Sequence, residues 1–339
     1  MRTIVLQEPG RFVLQDTSGP EEPPPGFARL RVYRIGVCGT DLHAYQGKQP
    51  FFTYPRILGH ELGVEVTAVG EGVAGVRPGD RCAVVPYLHC GRCVACRLGK
   101  TNCCVRLEVL GVHTDGGMRE EILLPADKLL PSTRLSLDQL ALVETLSIGA
   151  HAVDRAQPVE NEAVLVIGAG PIGLSVIQFA RLAGARIILM ELSARRIAFC
   201  GTHFDLAGVI DDPARGVETL QDLLAGELPT AVFDATGSHR SMMQAFRYVA
   251  NGGRLIFVGI TQENITFLGS EFHRREMTIL SSRNARKADL QRVMRYMESG
   301  AIDSRPWITH LAGAEEMISA FPSWLDPDSG VVKAMVALE

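Results

Sequence analysis

Apolar and polar positions alternate in short runs through the first third of the chain. Thr3-Ile4-Val5-Leu6 and Ala28-Arg29-Leu30-Arg31-Val32 are two such runs, separated by Glu21-Glu22-Pro23-Pro24-Pro25-Gly26. A period of two, punctuated by proline and glycine, predicts short strands and turns. Stretches 63–70 and 76–84 read as two further strands. Asp115-Gly116-Gly117 reads as a turn between strands at 111–113 and 118–122. The period lengthens to helical over 138–155. Beyond that point fully apolar runs alternate with helical stretches. Strands are expected at 163–167, 185–190, 207–210, 230–234, 254–259 and 277–282, with helices from 174, around 217–224 and around 242–249. Six strands alternating with helices predict a doubly wound parallel sheet. After residue 286 a helix at 289–297 and strand-like pieces such as 331–336 are too few for a third core. The pattern therefore gives an α/β protein with a β-rich first domain (1–150), a parallel-sheet second domain (151–286) and a closing segment (287–339) that returns to the first.

Composition narrows the function. A length of 339 residues suits two cores better than one. A net charge of −4 leaves no basic footprint, which argues against nucleic acid and anionic membrane as partners. No apolar run reaches membrane-spanning length, and the first residues do not make a signal peptide, so the cytoplasm is the default address. Of eight cysteines, five crowd into 90–104, and in a reducing compartment such a cluster reads as metal ligands.

Three constellations carry chemistry. Cys38, Thr40, Asp41 and His43 fall within six residues, and Gly59-His60-Glu61 follows about twenty residues later. Cys38 and His60 are the leading ligands for a catalytic zinc. Glu61 can coordinate or leave, Asp41 can orient the His60 imidazole from behind, and Glu144, a lone acid in an apolar run, is the best further ligand. The second constellation is Cys90, Cys93 and Cys96 with either Cys103 or Cys104, four thiolates spaced to close a tetrahedron around a structural zinc. A recognition ribbon is the rival reading, but Arg92, Arg97 and Lys100 make a thin patch. The third is Gly168-Ala169-Gly170-Pro171-Ile172-Gly173 between an apolar strand and a helix, where backbone N–H groups and the helix N-terminus can receive a pyrophosphate. Glu191 ends the next strand, placed to accept ribose hydroxyls and repel a 2′-phosphate, which favours NAD. Arg195 and Arg196 follow closely enough to soften that preference, and Arg196 belongs with the cofactor residues.

These motifs together resemble the zinc-dependent medium-chain dehydrogenases, the alcohol and sorbitol dehydrogenase superfamily, along essentially the whole chain. Glu144 resembles the polyol dehydrogenase branch, and the stretches 49–56, 111–117 and 282–285 resemble bacterial L-galactonate 5-dehydrogenases within it. The chain departs from the pattern at Val64, where glycine is usual, and at Thr145, where the branch tends to have proline. The resemblance implies a GroES-like catalytic domain with a structural-zinc lobe at about 88–106, a Rossmann domain, two zinc ions per subunit, Cys104 as the fourth lobe ligand and NAD as cofactor. It implies oxidation of a secondary hydroxyl on a polyol or sugar acid, with a proton relay through Thr40 and His43, and a homodimer or homotetramer. For a sugar acid, Arg283 with Asn284 can bind the carboxylate. His113, Phe51, Phe52 and Tyr54 are candidates for the pocket wall. The rivals are an NADP-linked alcohol or aldehyde reductase, a sorbitol- or xylitol-type enzyme, and a zinc-bearing nucleotide-binding module without activity.

Overall fold

The computed structural model describes residues 1–50 and 52–338, so Phe51 lies outside the described residues. Along the chain the strands are β1 (Arg2–Glu8), β2 (Arg11–Asp16), β3 (Phe27–Gly36), β4 (Glu61–Val69), β5 (Arg81–Val84), β6 (Tyr87–Leu88), β7 (Glu108–Val109), β8 (Glu121–Pro125) and β9 (Leu129–Pro131). Then come β10 (Ala163–Ile167), β11 (Arg186–Met190), β12 (Gly208–Ile210), β13 (Ala231–Asp234), β14 (Arg254–Phe257), β15 (Thr278–Ser281), β16 (Ile308–Gly313) and β17 (Lys333–Ala337). The helices that matter for the sites are α1 (Gly39–Tyr45), α2 (Val94–Arg97), α3 (Leu137–Ala156) and α4 (Pro171–Leu182). Among the described residues no helix is long and apolar enough to cross a membrane.

The chain divides into two compact units, one of residues 1–145 with 286–339, the other of residues 146–285. In the first, a sheet of order β16-β17-β3-β4-β5-β9 has β8 paired to β3. The alternation seen in the sequence becomes a buried face: Ala28, Leu30 and Val32 of β3 are at 0% exposure while the residues between them stay half-exposed. They pack with Val64 and Leu62 of β4 and with Met317, Phe321 and Trp324 near the C-terminus. Phe52 and Tyr54 pack against this same core, their rings meeting edge to face at 4.9 Å.

The second unit is a six-stranded parallel sheet of order β12-β11-β10-β13-β14-β15. Its central strands are buried on both faces, which is why β10 and β13 are apolar throughout apart from the terminal Asp234. The doubly wound fold expected from the sequence is present. Local boundaries differ where turn chemistry overrides pattern. The strand expected at 76–84 starts only at Arg81, because Pro78-Gly79 turns the chain with Gly79 at φ +91° and Asp80 Oδ2 accepts the Arg77 N–H at 2.9 Å. Residues 111–113 are likewise a turn rather than a strand, closed by an isolated bridge between Leu110 and Thr114, and the strand expected at 118–122 starts only at Glu121. The helix expected around 242–249 begins earlier, at His239, and tightens into a 3₁₀ turn at Phe246–Tyr248.

Candidate active site

Strand β3 runs straight into the candidate metal cluster. Gly36 is its last residue, and Cys38 sits at the N-terminus of α1 with its N–H donated to Asp41 Oδ2 at 2.8 Å. That bond closes the turn and buries Asp41 completely. Asp41 Oδ1 lies 3.9 Å from His60 Nδ1, so the acid stands behind the imidazole. Burial pushes His60 toward the neutral form, but Asp41 and Cys38 outweigh it and raise its pKa well above the ordinary value. Burial likewise raises the Asp41 carboxyl, with His60 opposing.

Glu61 opens β4 directly opposite Gly36. A Cβ at position 36 would overlap the Glu61 carboxylate, so glycine is what lets that side chain lie between the strands. Sulfur of Cys38, a ring nitrogen of His60 and a carboxylate oxygen of Glu61 all lie within 4.8 Å of one another. A thiolate, an imidazole and a carboxylate at that separation fit zinc, whose tetrahedral ligands stand roughly 3.5 Å apart. Lys333, the first residue of β17, forms an ion pair with Glu61, both side chains being 1% exposed. Glu144, on α3, is buried outside the three-ligand group and accepts a hydrogen bond from the buried Tyr87 hydroxyl. Burial raises the Glu144 carboxyl, as does Glu61, while His60 and Tyr87 oppose. Burial and the Glu144 carboxylate hold the Tyr87 phenol well above its ordinary pKa.

Thr40 and His43 both lie on α1, three residues apart and therefore neighbours on its surface. His43 is exposed, and burial of part of its ring together with Lys48 lowers its pKa. Cys90, Cys93, Cys96 and Cys104 converge, with Cys93–Cys96 and Cys90–Cys104 sulfurs at 3.5 Å. Sulfurs around one zinc stand about 3.8 Å apart, so the set fits the ion. Backbone N–H groups of Cys90 and Arg106 point at Cys104 Sγ at 3.3 Å, and Cys103 is exposed outside the group.

In the second unit Gly168 turns at φ +92° with its N–H on Met190 O, and Gly170 caps α4 ahead of Pro171 and Ile172. A Cβ on Gly173 would overlap Gly168 O, so helix and loop meet only because that residue is glycine. Glu191 is 8% exposed: Oε2 accepts the Ala169 N–H at 2.7 Å, and Oε1 accepts those of Leu192 and Ser193 at 2.8 and 2.9 Å. Arg196 Nη1 stands 3.8 Å from Glu191 Oε2. Beyond β15, Arg283 is exposed and Asn284 adopts φ +52° with its Nδ2 buried and without a hydrogen-bond partner. His113 Nδ1 accepts the Val109 N–H at 3.1 Å, tying that ring to its own turn.

Sequence reasoning passed over Tyr87 and Lys333. A signal existed for the second, since Lys333 is a lone charge in the apolar run Val331-Val332-Lys333-Ala334-Met335-Val336, the same kind of anomaly that marks Glu144. Tyr87 in Val84-Val85-Pro86-Tyr87-Leu88 carries no such mark.

Comparison with known proteins agrees with this geometry. Residues 24–134 match the alcohol dehydrogenase GroES-like domain and residues 171–299 the zinc-binding dehydrogenase family. The chain is 38% identical over 313 residues to the L-galactonate-5-dehydrogenase of Escherichia coli K12, covering 91% of each. A crystal structure of a short chain alcohol dehydrogenase from Escherichia coli CFT073, complexed with NADH, superposes with a TM-score of 0.93 at 28% identity, over 100% of this chain and 99% of that one. A putative zinc-binding dehydrogenase from Sinorhizobium meliloti 1021, bound to NADP, gives 0.90 at 27% identity over 99% of each chain. The chain belongs to the zinc-type medium-chain alcohol dehydrogenases, in their polyol dehydrogenase branch. It is an enzyme acting on CH–OH groups of small molecules with zinc and a nicotinamide cofactor.

Proposed function

We propose that this enzyme oxidises a secondary hydroxyl of a sugar acid, of the L-galactonate type, to a ketone with NAD as hydride acceptor. The observation that carries the reading is the group of half-buried Cys38 with buried His60 and Glu61, three donors of different kinds within 4.8 Å, backed by Asp41. Three protein ligands are what a catalytic zinc needs if its fourth position is to receive substrate. The same observation favours Glu61 over Glu144 as the third ligand, with Glu144 standing beside the site. Zinc bound there supplies Lewis-acid polarisation of the substrate hydroxyl, and NAD supplies the hydride sink. The reaction takes one hydride and one proton from the alcohol.

Thr40 and His43 offer the proton a way out, since the hydroxyl is half-buried, the ring is exposed and the lowered His43 pKa leaves it neutral and able to accept. The four-cysteine lobe would hold a second zinc for structure alone. The preference for NAD rests on Glu191, whose carboxylate is pinned by three N–H groups and would face a 2′-phosphate with fixed negative charge. For the substrate carboxylate, exposed Arg283 and the unpartnered Asn284 amide are the donors offered. Assembly as a homodimer or homotetramer belongs to the same reading.

The test is NAD reduction followed optically across L-galactonate, other aldonates, sorbitol, xylitol, threonine and simple alcohols, with NADP in parallel. Turnover is expected on an aldonate with NAD, and KM for it is expected to rise at least tenfold in Arg283→Ala while neutral polyols are unaffected. Equal turnover of aldonates and neutral polyols would remove the carboxylate-binding role, and a preference for NADP would remove the role given to Glu191.

A further inference from the structure

Two carboxylates, not one, stand at the catalytic metal site, and each has a buried partner. Glu61 lies within the three-donor group while paired to Lys333. Glu144 lies outside that group, 5% exposed, with Oε1 taken by the hydroxyl of Tyr87, a residue itself only 3% exposed. Tyr87 belongs to the two-residue strand β6, which pairs with β7 through Val109, so its ring is placed by the sheet and not by a mobile loop. Glu144 is placed equally firmly in the middle of α3, between Val143 and Thr145 at 0% exposure.

If both carboxylates reached the ion, Cys38, His60, Glu61 and Glu144 would give four protein ligands. A zinc with four protein ligands is a closed, structural site, whereas catalysis needs a vacant position. One acid must therefore stay back or leave when substrate arrives, and burial alone does not hold it back, because a desolvated carboxylate gains from any nearby cation. A hydrogen bond to the carboxylate from a fixed donor opposes that movement, and bonds of this kind around metal sites change affinity by about 10–100-fold.

We infer that Tyr87 is a positioning residue that holds Glu144 out of the ligand set and so keeps the fourth position available to substrate. The inference rests on the three-ligand reading given above. It makes an unusual demand: deleting one oxygen from the protein should make the catalytic metal harder to remove.

The experiment measures metal release from the zinc-loaded enzyme into excess chelator. The catalytic-site phase is identified as the one missing from Cys38→Ser, and the wild type is compared with Tyr87→Phe, Glu144→Gln and the double variant. Tyr87→Phe is expected to slow that phase about tenfold and to lower kcat. The double variant is expected to return to the wild-type release rate, because the acid that closes the site is gone. Release that is unchanged or faster in Tyr87→Phe overturns the inference and leaves Tyr87 a packing residue. Faster release in Glu144→Gln alone means that Glu144 already binds the ion in the wild type, which overturns the three-ligand reading and the inference with it. Circular dichroism of each variant separates these outcomes from loss of fold.

Discussion

At the scale of single residues, the proposed zinc cluster depends on one glycine and one lysine outside its three donors. Gly36 leaves the space that the Glu61 carboxylate occupies, and Lys333 supplies a positive charge where neither partner reaches water. Burial by itself would lower the lysine pKa, but Glu61, Cys38 and Glu144 outweigh it, so the ammonium form persists. A buried pair is costly to break from one side, because the surviving charge keeps its desolvation penalty without its partner. Lys333→Met should therefore destabilise the first unit by roughly 3–5 kcal/mol. Adding Glu61→Gln should recover much of that loss, since a neutral amide tolerates the site better. Denaturant titration followed by tryptophan fluorescence reports the first unit, because Trp307 and Trp324 both belong to it. A double variant no more stable than Lys333→Met would show that the lysine acts by packing and not by charge.

At the scale of elements, what was legible in the sequence was what is local. The glycine turn between β10 and α4 and the cysteine lobe are each written within a few residues, and turn chemistry and ligand spacing act over that distance. The pairing of Lys333 with Glu61 joins residues 272 positions apart, and the Tyr87–Glu144 bond joins residues 57 apart. No periodicity encodes such contacts, since they follow from the order of strands β17-β3-β4 and from where α3 passes. The strand misread at 76–80 failed for the opposite reason: the strand pattern of 81–84 was carried back across a Pro-Gly-Asp turn that is itself local.

The lobe itself shows how little an element can hold without metal. Helix α2 buries no residue, and Val94, Leu98 and Val105 are 59%, 68% and 74% exposed. With almost no core, the order of this segment is expected to come from a metal held by its four cysteines. Trypsin should therefore spare the exposed Arg92, Arg97, Lys100 and Arg106 in the zinc-loaded protein and cut among them once a strong chelator has removed the ion. Equal cleavage before and after chelation, read by mass spectrometry, would mean that the lobe orders itself.

At the scale of the whole molecule, the chain is two units with separate cores, and the second is fastened at the N-terminal ends of its strands. Arg254, at the start of β14, donates to both oxygens of Glu162 at 2.8 and 2.9 Å and also to the carbonyls of Ala156 and Gln157. Thr230 donates to the same Glu162, just before β10, so one carboxylate ties the entry of three neighbouring strands to the end of α3. Burial pushes the Glu162 carboxyl up, but the bonds from Arg254, Thr230 and the Val159 N–H bring it below the ordinary 4.5. A carboxyl whose folded pKa is depressed contributes stability that is present above its unfolded pKa and is lost as pH falls through the folded value. Glu162→Gln should thus cost the second unit about 1–3 kcal/mol at neutral pH. The gap to the wild type should close as pH drops below the ordinary carboxylate value. Because both tryptophans report the first unit, the fluorescence midpoint should stay in place while NADH binding and far-ultraviolet circular dichroism move to lower denaturant. If fluorescence moved with them, the two units would unfold as one cooperative body, and a gap that persisted at acid pH would mean that Glu162 acts through shape and not through its charge.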